Sequence, residues 1–269
     1  SLRADAARVT GQKFNAAALF VFCASTLFLH AQFPGAGGAR GGMGGPPLPL
    51  GGDFEKLFGD NKAFTAQMEM KAKIPTGEMT VPAKIAVLDG KARLEMDLTQ
   101  MKGGALPPQA VEQMKLMGMG EMVSISRPDK EETYVIYPGL KSYAAMPSPK
   151  PEEAGQSKDS ELKKTELGKE TVNGHPTTKY KVTFRAANGS EQEATIWSAS
   201  DLKDFPIKIE TASGGVPATM TFSEVKIEKP DESLFTPPAA FQRYTDMQTM
   251  MREAMMKRFA PPGGLPPQP

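Results

Sequence analysis

The sequence predicts an α+β protein: one large antiparallel sheet of about ten or eleven strands, long enough that it must curl, with a few helices. Two observations carry this prediction. Apolar and polar residues alternate with a period of two through most of the chain between residues 64 and 227, which is typical of strands with one buried face. Pairs of turn-forming residues separate the runs, and strands joined by such short turns are antiparallel.

The predicted strands follow one another in a single meander. Even-numbered positions are apolar in 64–74 and 92–98, and odd-numbered positions are apolar in 79–87. Later runs repeat the pattern, with apolar side chains at Tyr180, Val182, Phe184, Met220 and Phe222. Beyond Phe222 the apolar positions move to odd numbers, which predicts a bulge near Ser223. The turn pairs are Asp89-Gly90, Pro138-Gly139, Asn173-Gly174, Asn188-Gly189 and Gly214-Gly215.

Helical spacing is confined to three stretches. Pro107 and Pro108 precede residues 109–117, and proline is favoured in the first turn of a helix. Residues 241–259 form a predicted methionine-rich amphipathic helix whose shared face carries Phe241, Tyr244, Met247, Met251, Met255 and Phe259. A short helix is also predicted from Asp53, with a face made of Phe54, Leu57 and Phe58.

The N-terminal segment of the chain predicts an exported protein. Arg3, Arg8 and Lys13 precede an apolar run over residues 16–29, the order of a secretory signal peptide, with cleavage expected after Ala31. The run is shorter than the ~20 residues of a spanning helix, so no stable transmembrane span is expected in the mature chain. The predicted organisation is a signal peptide at 1–31, a Gly/Pro-rich flexible tether at 32–52, a sheet domain at 53–240 interrupted by a loop at 147–160, the helix at 241–259 and a disordered tail at 260–269. The expected location is the periplasm.

Composition excludes several classes of function. Lys and Arg number 32 against 31 Asp and Glu, a net charge of +1, so no nucleic-acid-binding surface is expected. One cysteine and two histidines rule out disulfides, thiolate-ligated zinc and iron–sulfur clusters. His175 lies in a turn, and no Gly-rich loop follows a strand and opens a helix, so neither a catalytic histidine nor a phosphate loop is predicted. We expect a protein that is not an enzyme and that needs no cofactor.

Methionine is the unusual feature of the composition, with 17 residues. On the strands, methionines such as Met68 and Met220 fall on the buried phase, where an unbranched, polarizable side chain fills a core or lines a cavity. Others are concentrated in the C-terminal helix. Because thioethers are soft ligands that suit Cu(I), an alternative is a copper site formed by Met247, Met250, Met251 and Met255.

A set of short blocks carries a resemblance to a known family. These blocks are residues 77–85, 89–97, 122–130, 168–180, 201–207 and 234–238, together with Trp197. They resemble the periplasmic lipoprotein-carrier superfamily (LolA- and LolB-like proteins), and more closely its uncharacterised branch of small exported proteins. The resemblance implies an incomplete antiparallel barrel around helices, an apolar cavity that holds acyl chains, and no catalysis. The Gly-rich tether and the methionine-rich C-terminal helix are not part of that pattern.

The function predicted from the sequence is that of a non-catalytic periplasmic protein. It holds a lipid or lipoprotein acyl chain in an apolar cavity lined by Met68, Met70, Leu94, Met96, Tyr180, Phe184, Met220 and Phe222. The alternatives are the methionine-rich copper-binding protein and a structural envelope protein whose core is filled by its own side chains. In the third case the partners would be other envelope proteins.

Overall fold

The computed structural model describes residues 57–74, 77–103, 107–148, 162–185, 191–211 and 217–259. Several sequence predictions lie outside these residues. They are the signal peptide with its cleavage site after Ala31, the tether at 32–52, the first four residues (53–56) of the short helix predicted from Asp53, the loop at 147–160 beyond residue 148, and the tail at 260–269.

The described residues form one twelve-stranded sheet, two α-helices and several short 3₁₀ turns. The strands are β1 (Ala63–Ile74), β2 (Gly77–Leu88), β3 (Lys91–Asp97), β4 (Glu121–Arg127), β5 (Glu132–Tyr137), β6 (Ser142–Pro147), β7 (Leu162–Val172), β8 (His175–Arg185), β9 (Glu191–Ala199), β10 (Phe205–Thr211), β11 (Ala218–Lys226) and β12 (Gln242–Tyr244). The helices are α1 (Pro108–Leu116) and α2 (Met247–Phe259). The predicted α+β class and the large open sheet are confirmed.

The strand order corrects the prediction of a single meander. It runs β12-β6-β5-β4-β3-β2-β1-β11-β10-β9-β8-β7, so two meanders, β1–β6 and β7–β11, meet where β1 pairs with β11. The consecutive strands β6 and β7 therefore lie near opposite edges of the sheet. Alternation within a strand reports only which face is buried, so it could not reveal this long-range pairing.

Local backbone geometry agrees with the turn predictions where the structure describes them. Asp89 and Gly90 both have positive φ, 47° and 83°, as do Asn173 and Gly174, at 50° and 85°. Such pairs match the twist of the strands that they join. The bulge predicted near Ser223 is confirmed, because the β1–β11 register gains one residue on β11 and Glu224 has a φ of 50°.

The C-terminal helix is shorter than predicted. Residues 242–244 form β12, which lies parallel to β6, and α2 begins only at Met247. Asp246 sets this start, because its carboxylate accepts a hydrogen bond from the Thr249 backbone N–H at 2.7 Å. The prediction of a helix from Phe241 is therefore wrong for its first six residues. The face of α2 that is buried carries Met247, Met250, Met251 and Ala254.

Both faces of the sheet bury apolar side chains, but unequally. The face with the larger cluster, which we call the inner face, carries buried residues from both meanders and receives the methionines of α2. The outer face has a smaller cluster on β2–β6, covered by the C-terminal strap, which we define as residues 231–241. Phe235 of the strap is fully buried there.

The outer face of the second meander carries alternating lysine, glutamate and threonine. Trp197, the single tryptophan of the chain, is buried there between two lysines, with Lys179 and Lys208 Nζ at 4.7 and 4.1 Å from its ring centroid. Its indole N–H donates a 2.6 Å hydrogen bond to Glu170. This ring is therefore held by β7, β8 and β10 at once, and its fluorescence can report the integrity of the second meander.

Candidate apolar binding face

The predicted cavity residues share one face of the sheet. Six of the eight are buried in the inner cluster: Met68, Met70, Leu94, Met96, Met220 and Phe222. Tyr180 is half-buried against the same cluster. Phe184 occupies the β8 position opposite Leu162, and its side chain lies outside the described part of the chain. That these residues line a lipid cavity stays a prediction.

The strand register connects these side chains into rows. One row crosses five strands through the paired positions Phe222, Met68, Ala83, Met96 and Met122. The next row toward the end of β1 contains Ile209, Met220, Met70 and Val81. Directly opposed residues on neighbouring strands project on the same side and lie close enough to pack. The inner face is therefore a continuous apolar surface that runs across the junction of the two meanders.

One end of this surface is closed by aromatic rings. Phe58, Phe64, Phe205 and Phe222 form what we call the phenylalanine end, near the first residues of β1 and β10. Their ring centroids lie 4.9 to 5.6 Å apart, in stacked, tilted and edge-on pairs. The Asn61 amide fixes this end by donating hydrogen bonds to the carbonyls of Phe58, at 3.0 Å, and Lys203, at 3.1 Å.

Methionines dominate the opposite end of the inner face. Ten of them are buried in the inner cluster: Met68, Met70, Met79, Met96, Met119, Met122, Met220, Met247, Met250 and Met251. We call the group of Met70, Met79, Met96, Met119 and Met122 the methionine end. Met96 and Met122 are in the row of Phe222, three and four strands away from it, and Met70 and Met79 lie in the rows that follow toward the last residues of β1. Sequence reasoning did not place Met79, Met119 or Met122 in the site. Met79 could have been found, because it lies on the predicted apolar phase of β2.

Charged side chains are almost absent from the inner face. At the paired positions of the described strands, Asp, Glu, Lys and Arg project on this side only from the edge strand β7. There Lys164 lies opposite Val182 and Glu166 lies opposite Tyr180, and both charged residues are exposed. Beyond the bulge of β7, Lys169 follows on the same side, opposite Thr178.

The C-terminal strap is held to the outer face by arginines. Arg93 donates a 2.8 Å hydrogen bond to the Leu234 carbonyl, and Arg127 donates one of 2.9 Å to the Phe235 carbonyl. Arg127 is itself paired with Asp129 at 2.6 Å, and this hydrogen bond lowers the pKa of Asp129 to about 2. The strap leads around the β6 edge into β12 and α2, so these contacts position the methionines of α2.

A second polar contact holds β12, the strand that follows the strap. Arg243 of β12 pairs with Glu132 at 2.7 Å, and the Tyr134 hydroxyl donates a 2.6 Å hydrogen bond to the same carboxylate. Burial, with the hydrogen bond to Glu132, raises the pKa of Tyr134 to about 12. The hydrogen bond from Tyr134 and the charge of Arg243 lower the pKa of Glu132.

Comparison with family models identifies the domain. A domain of unknown function, DUF4412, matches residues 64–205, slightly more than half of the chain. The chain belongs to the DUF4412 family. The matched part of the DUF4412 domain runs from β1 to the first residue of β10, so β11, the strap and α2 follow it.

Solved structures with a similar fold come from several bacteria. The DUF4412 chain is similar to the lipoprotein LppX of Mycobacterium tuberculosis (12% identity, 64% of this chain and 92% of that chain, TM-score 0.37). It is also similar to LprF of Mycobacterium bovis (13%, 70% and 97%, TM-score 0.37). A LolA superfamily protein of Nitrosomonas europaea is similar too (9%, 68% and 93%, TM-score 0.31). Comparison with the curated proteins finds no match.

Other polar features of the DUF4412 chain lie on the outer face or at turns. A groove of about 310 Å³ on the outer face is lined by Thr65, Gln67, Lys84, Arg93, Glu95, Glu224, Lys226 and Leu234, among others. Its most buried cation, Arg93, is already paired with Glu95 at 2.7 Å. His175 Nδ1 lies 2.7 Å from the Asp201 carboxylate at an exposed turn.

The described residues contain neither a cluster of metal-ligating side chains nor a helix suited to a membrane. No group of three or more His, Cys, Asp and Glu side chains in them is arranged to hold a metal ion. Neither α1 nor α2 has the length and hydropathy that crossing a membrane requires.

Proposed function

We propose that this protein is a non-catalytic periplasmic binding protein that holds the acyl chain of a lipid or lipoprotein on the inner face of its sheet. The observation that carries the proposal is the inner face itself, which is continuous, apolar and uncharged from β1 to β6 and from β8 to β11. A hydrocarbon chain needs no specific polar partner, since each CH₂ transferred from water gains about 0.8 kcal/mol.

The methionines explain how an acyl chain could bind to an inner face that the protein's own side chains already cover. A methionine has three rotatable side-chain bonds and no branch, so it can change shape at little cost and keep contact with an irregular ligand. Phenylalanines at the other end are locked by mutual ring contacts. The acyl chain would therefore enter at the methionine end and stop against the phenylalanine end.

The direct test is to purify the full-length protein from its native compartment and to analyse its organic extract by mass spectrometry. We expect acyl-containing molecules in stoichiometric amount. A clean extract, obtained with lipid present throughout the preparation, would reject the proposal and favour a structural protein that packs its own core and docks on an envelope partner.

Paired variants test the assignment of the face. Met220→Asp places a charge in the inner cluster and should abolish binding of a fluorescent acyl probe. Thr221→Asp, one residue further along β11 and on the other face, should leave probe binding unchanged. Because a buried aspartate destabilises the fold, Trp197 emission must show that the Met220→Asp protein is folded. Full binding by this folded variant would contradict the assignment.

The copper-binding alternative remains a prediction with one specific observation in its favour. Three of its four proposed ligands, Met247, Met250 and Met251, are buried together on one face of α2. The fourth, Met255, is half-buried against the same cluster. Replacing all four with leucine keeps the apolar volume of this face and removes the sulfurs. If the site binds copper, Cu(I) affinity should then be lost.

A further inference from the structure

The charges on the inner face are confined to one edge of the sheet, and this distribution has a direct meaning for an amphiphilic ligand. When an acyl chain lies on the apolar surface, its polar end group must lie at the border between that surface and solvent. Strand β7 is such a place, because it is hydrogen-bonded to β8 alone and its side chains are mostly exposed. It is also the strand whose inner side carries charged residues. The residues on its inner side therefore determine which end group is accepted.

Lys164 is the residue best placed to meet such an end group. It lies opposite Val182, which is fully buried in the inner cluster, and its Nζ is 5.6 Å from the centroid of the Tyr180 ring. Thus the ammonium lies at the boundary between the apolar surface and solvent. The Tyr180 ring beside it packs against the same cluster.

The lysines on the two faces of the second meander differ in their pairing. On the outer face of the same meander, Lys181 pairs with Glu193 at 2.7 Å and Lys208 pairs with Glu210 at 2.7 Å. Lys164 makes no ion pair within the described part of the chain, and the Tyr180 hydroxyl makes no hydrogen bond there. Both groups thus retain free donors on the inner side of the sheet edge.

We propose that Lys164 and Tyr180 form the recognition site for an anionic end group, a carboxylate or a phosphate, on a ligand whose acyl chain occupies the inner face. This inference rests on the proposed function and specifies its ligand as an anionic amphiphile. The Lys164 ammonium supplies the positive charge, and the Tyr180 hydroxyl supplies a second donor. Glu166, two residues along β7 on the same side, repels an anion and so limits the end group to the Lys164 side of Tyr180.

The test compares one charged ligand and two uncharged ligands in three proteins. A fatty acid and its methyl ester share the acyl chain, and the monoacylglycerol of that chain is a second uncharged comparison; the fatty acid alone carries a negative charge on its end group. Each ligand is titrated, by displacement of a fluorescent acyl probe, into the full-length wild-type protein, Lys164→Gln and Lys163→Gln. Lys163 is the matched control, because it is the adjacent lysine of the same strand and lies on the other side, opposite Thr183.

We expect Lys164→Gln to weaken binding of the fatty acid about fivefold, the size of a single exposed charge pair, and to leave binding of the methyl ester and the monoacylglycerol unchanged. The Lys163→Gln protein should bind all three ligands like the wild type. Raising the salt concentration should weaken only the fatty acid, since exposed charge pairs are screened. A lysophosphatidic acid of the same chain length shows whether phosphate is preferred to carboxylate.

Each other outcome overturns a defined part of the proposal. If Lys164→Gln weakens binding of all three ligands equally, or if Lys163→Gln has the same effect, Lys164 does not recognise the end group. If all three ligands bind the wild type with equal affinity and salt has no effect, the end-group site is rejected while the acyl-binding function stands. If none of the ligands displaces the probe, the proposed function itself fails.

Discussion

The two ends of the inner face are both buried, but they are packed with different kinds of side chain. At the phenylalanine end, five of the six pairs among the four rings have centroid distances of 4.9 to 5.6 Å, and the Asn61 amide ties the adjoining backbone segments together. At the methionine end, unbranched side chains from β1, β2, β3, β4 and the residues just before β4 are buried in the same cluster. The first arrangement favours one packing, and the second tolerates several. Under the proposed function, the phenylalanine end provides stability and the methionine end adapts to the ligand.

The largest expected effect comes from breaking the phenylalanine end. Phe205→Ala removes a fully buried ring that contacts three others, and the resulting cavity should lower the free energy of unfolding by about 3–5 kcal/mol. Urea unfolding followed by Trp197 emission measures the loss. A Phe205→Leu protein is the control, and it should lose clearly less because most of the apolar volume remains. Equal losses in the two variants would contradict the importance of the ring contacts.

A smaller effect is expected from loosening the strap that carries α2 to the inner face. Arg127→Ala removes the hydrogen bond to the Phe235 carbonyl and leaves that buried acceptor unsatisfied, which should cost about 2 kcal/mol. The variant should also expose methionines of α2 to oxidation by peroxide, as measured by peptide mass spectrometry. Lys130→Ala, an exposed residue of the adjoining 3₁₀ turn, is the control. If α2 stays equally protected in both proteins, the strap does not hold it in place.

A still smaller effect on stability is expected at the methionine end. Met70→Leu and Met96→Leu conserve volume, so each should change the free energy of unfolding by less than about 1.5 kcal/mol. Ligand binding should suffer more than stability, because leucine has fewer ways to reshape around a chain. Titration of acyl probes of several chain lengths measures this, and the variants should accept a narrower range of lengths. An unchanged range would show that methionine acts here only as core filler.

The smallest effect is expected from acid. Asp129 has a folded-state pKa of about 2, below its ordinary value of 3.8, so the stability that it contributes is present above pH 4 and is lost as the pH falls toward 2. The pKa of Glu132 is also lowered, so Glu132 likewise contributes stability that is lost as the pH falls. Thermal unfolding of the wild type and of Asp129→Asn at pH 5 and pH 2.5 measures this. The variant should lose less stability between the two values than the wild type, and an equal loss would exclude Asp129 as a cause.

Much of the local structure could be predicted because its causes lie close together in the chain. The alternation in 64–74 predicts β1 and its buried face, and the shift from Phe222 to Val225 predicts the bulge on β11. Asp89-Gly90 and Asn173-Gly174 predict two hairpins, since few other pairs adopt positive φ at both positions. The same patterns placed six of the eight proposed cavity residues in one buried cluster.

The sequence by itself determined the class of the protein: a methionine-rich α+β chain whose strands alternate between apolar and polar side chains in one large sheet. Only the tertiary structure decided that β1 pairs with β11, that residues 242–244 join β6 as a parallel strand, and that the strap covers the outer face. It also decided that β7 forms an edge of the sheet, which places Lys164 beside the apolar surface. The physical reason is that periodicity and turn propensity act over a few residues, whereas strand order depends on which distant surfaces bury the most apolar area together.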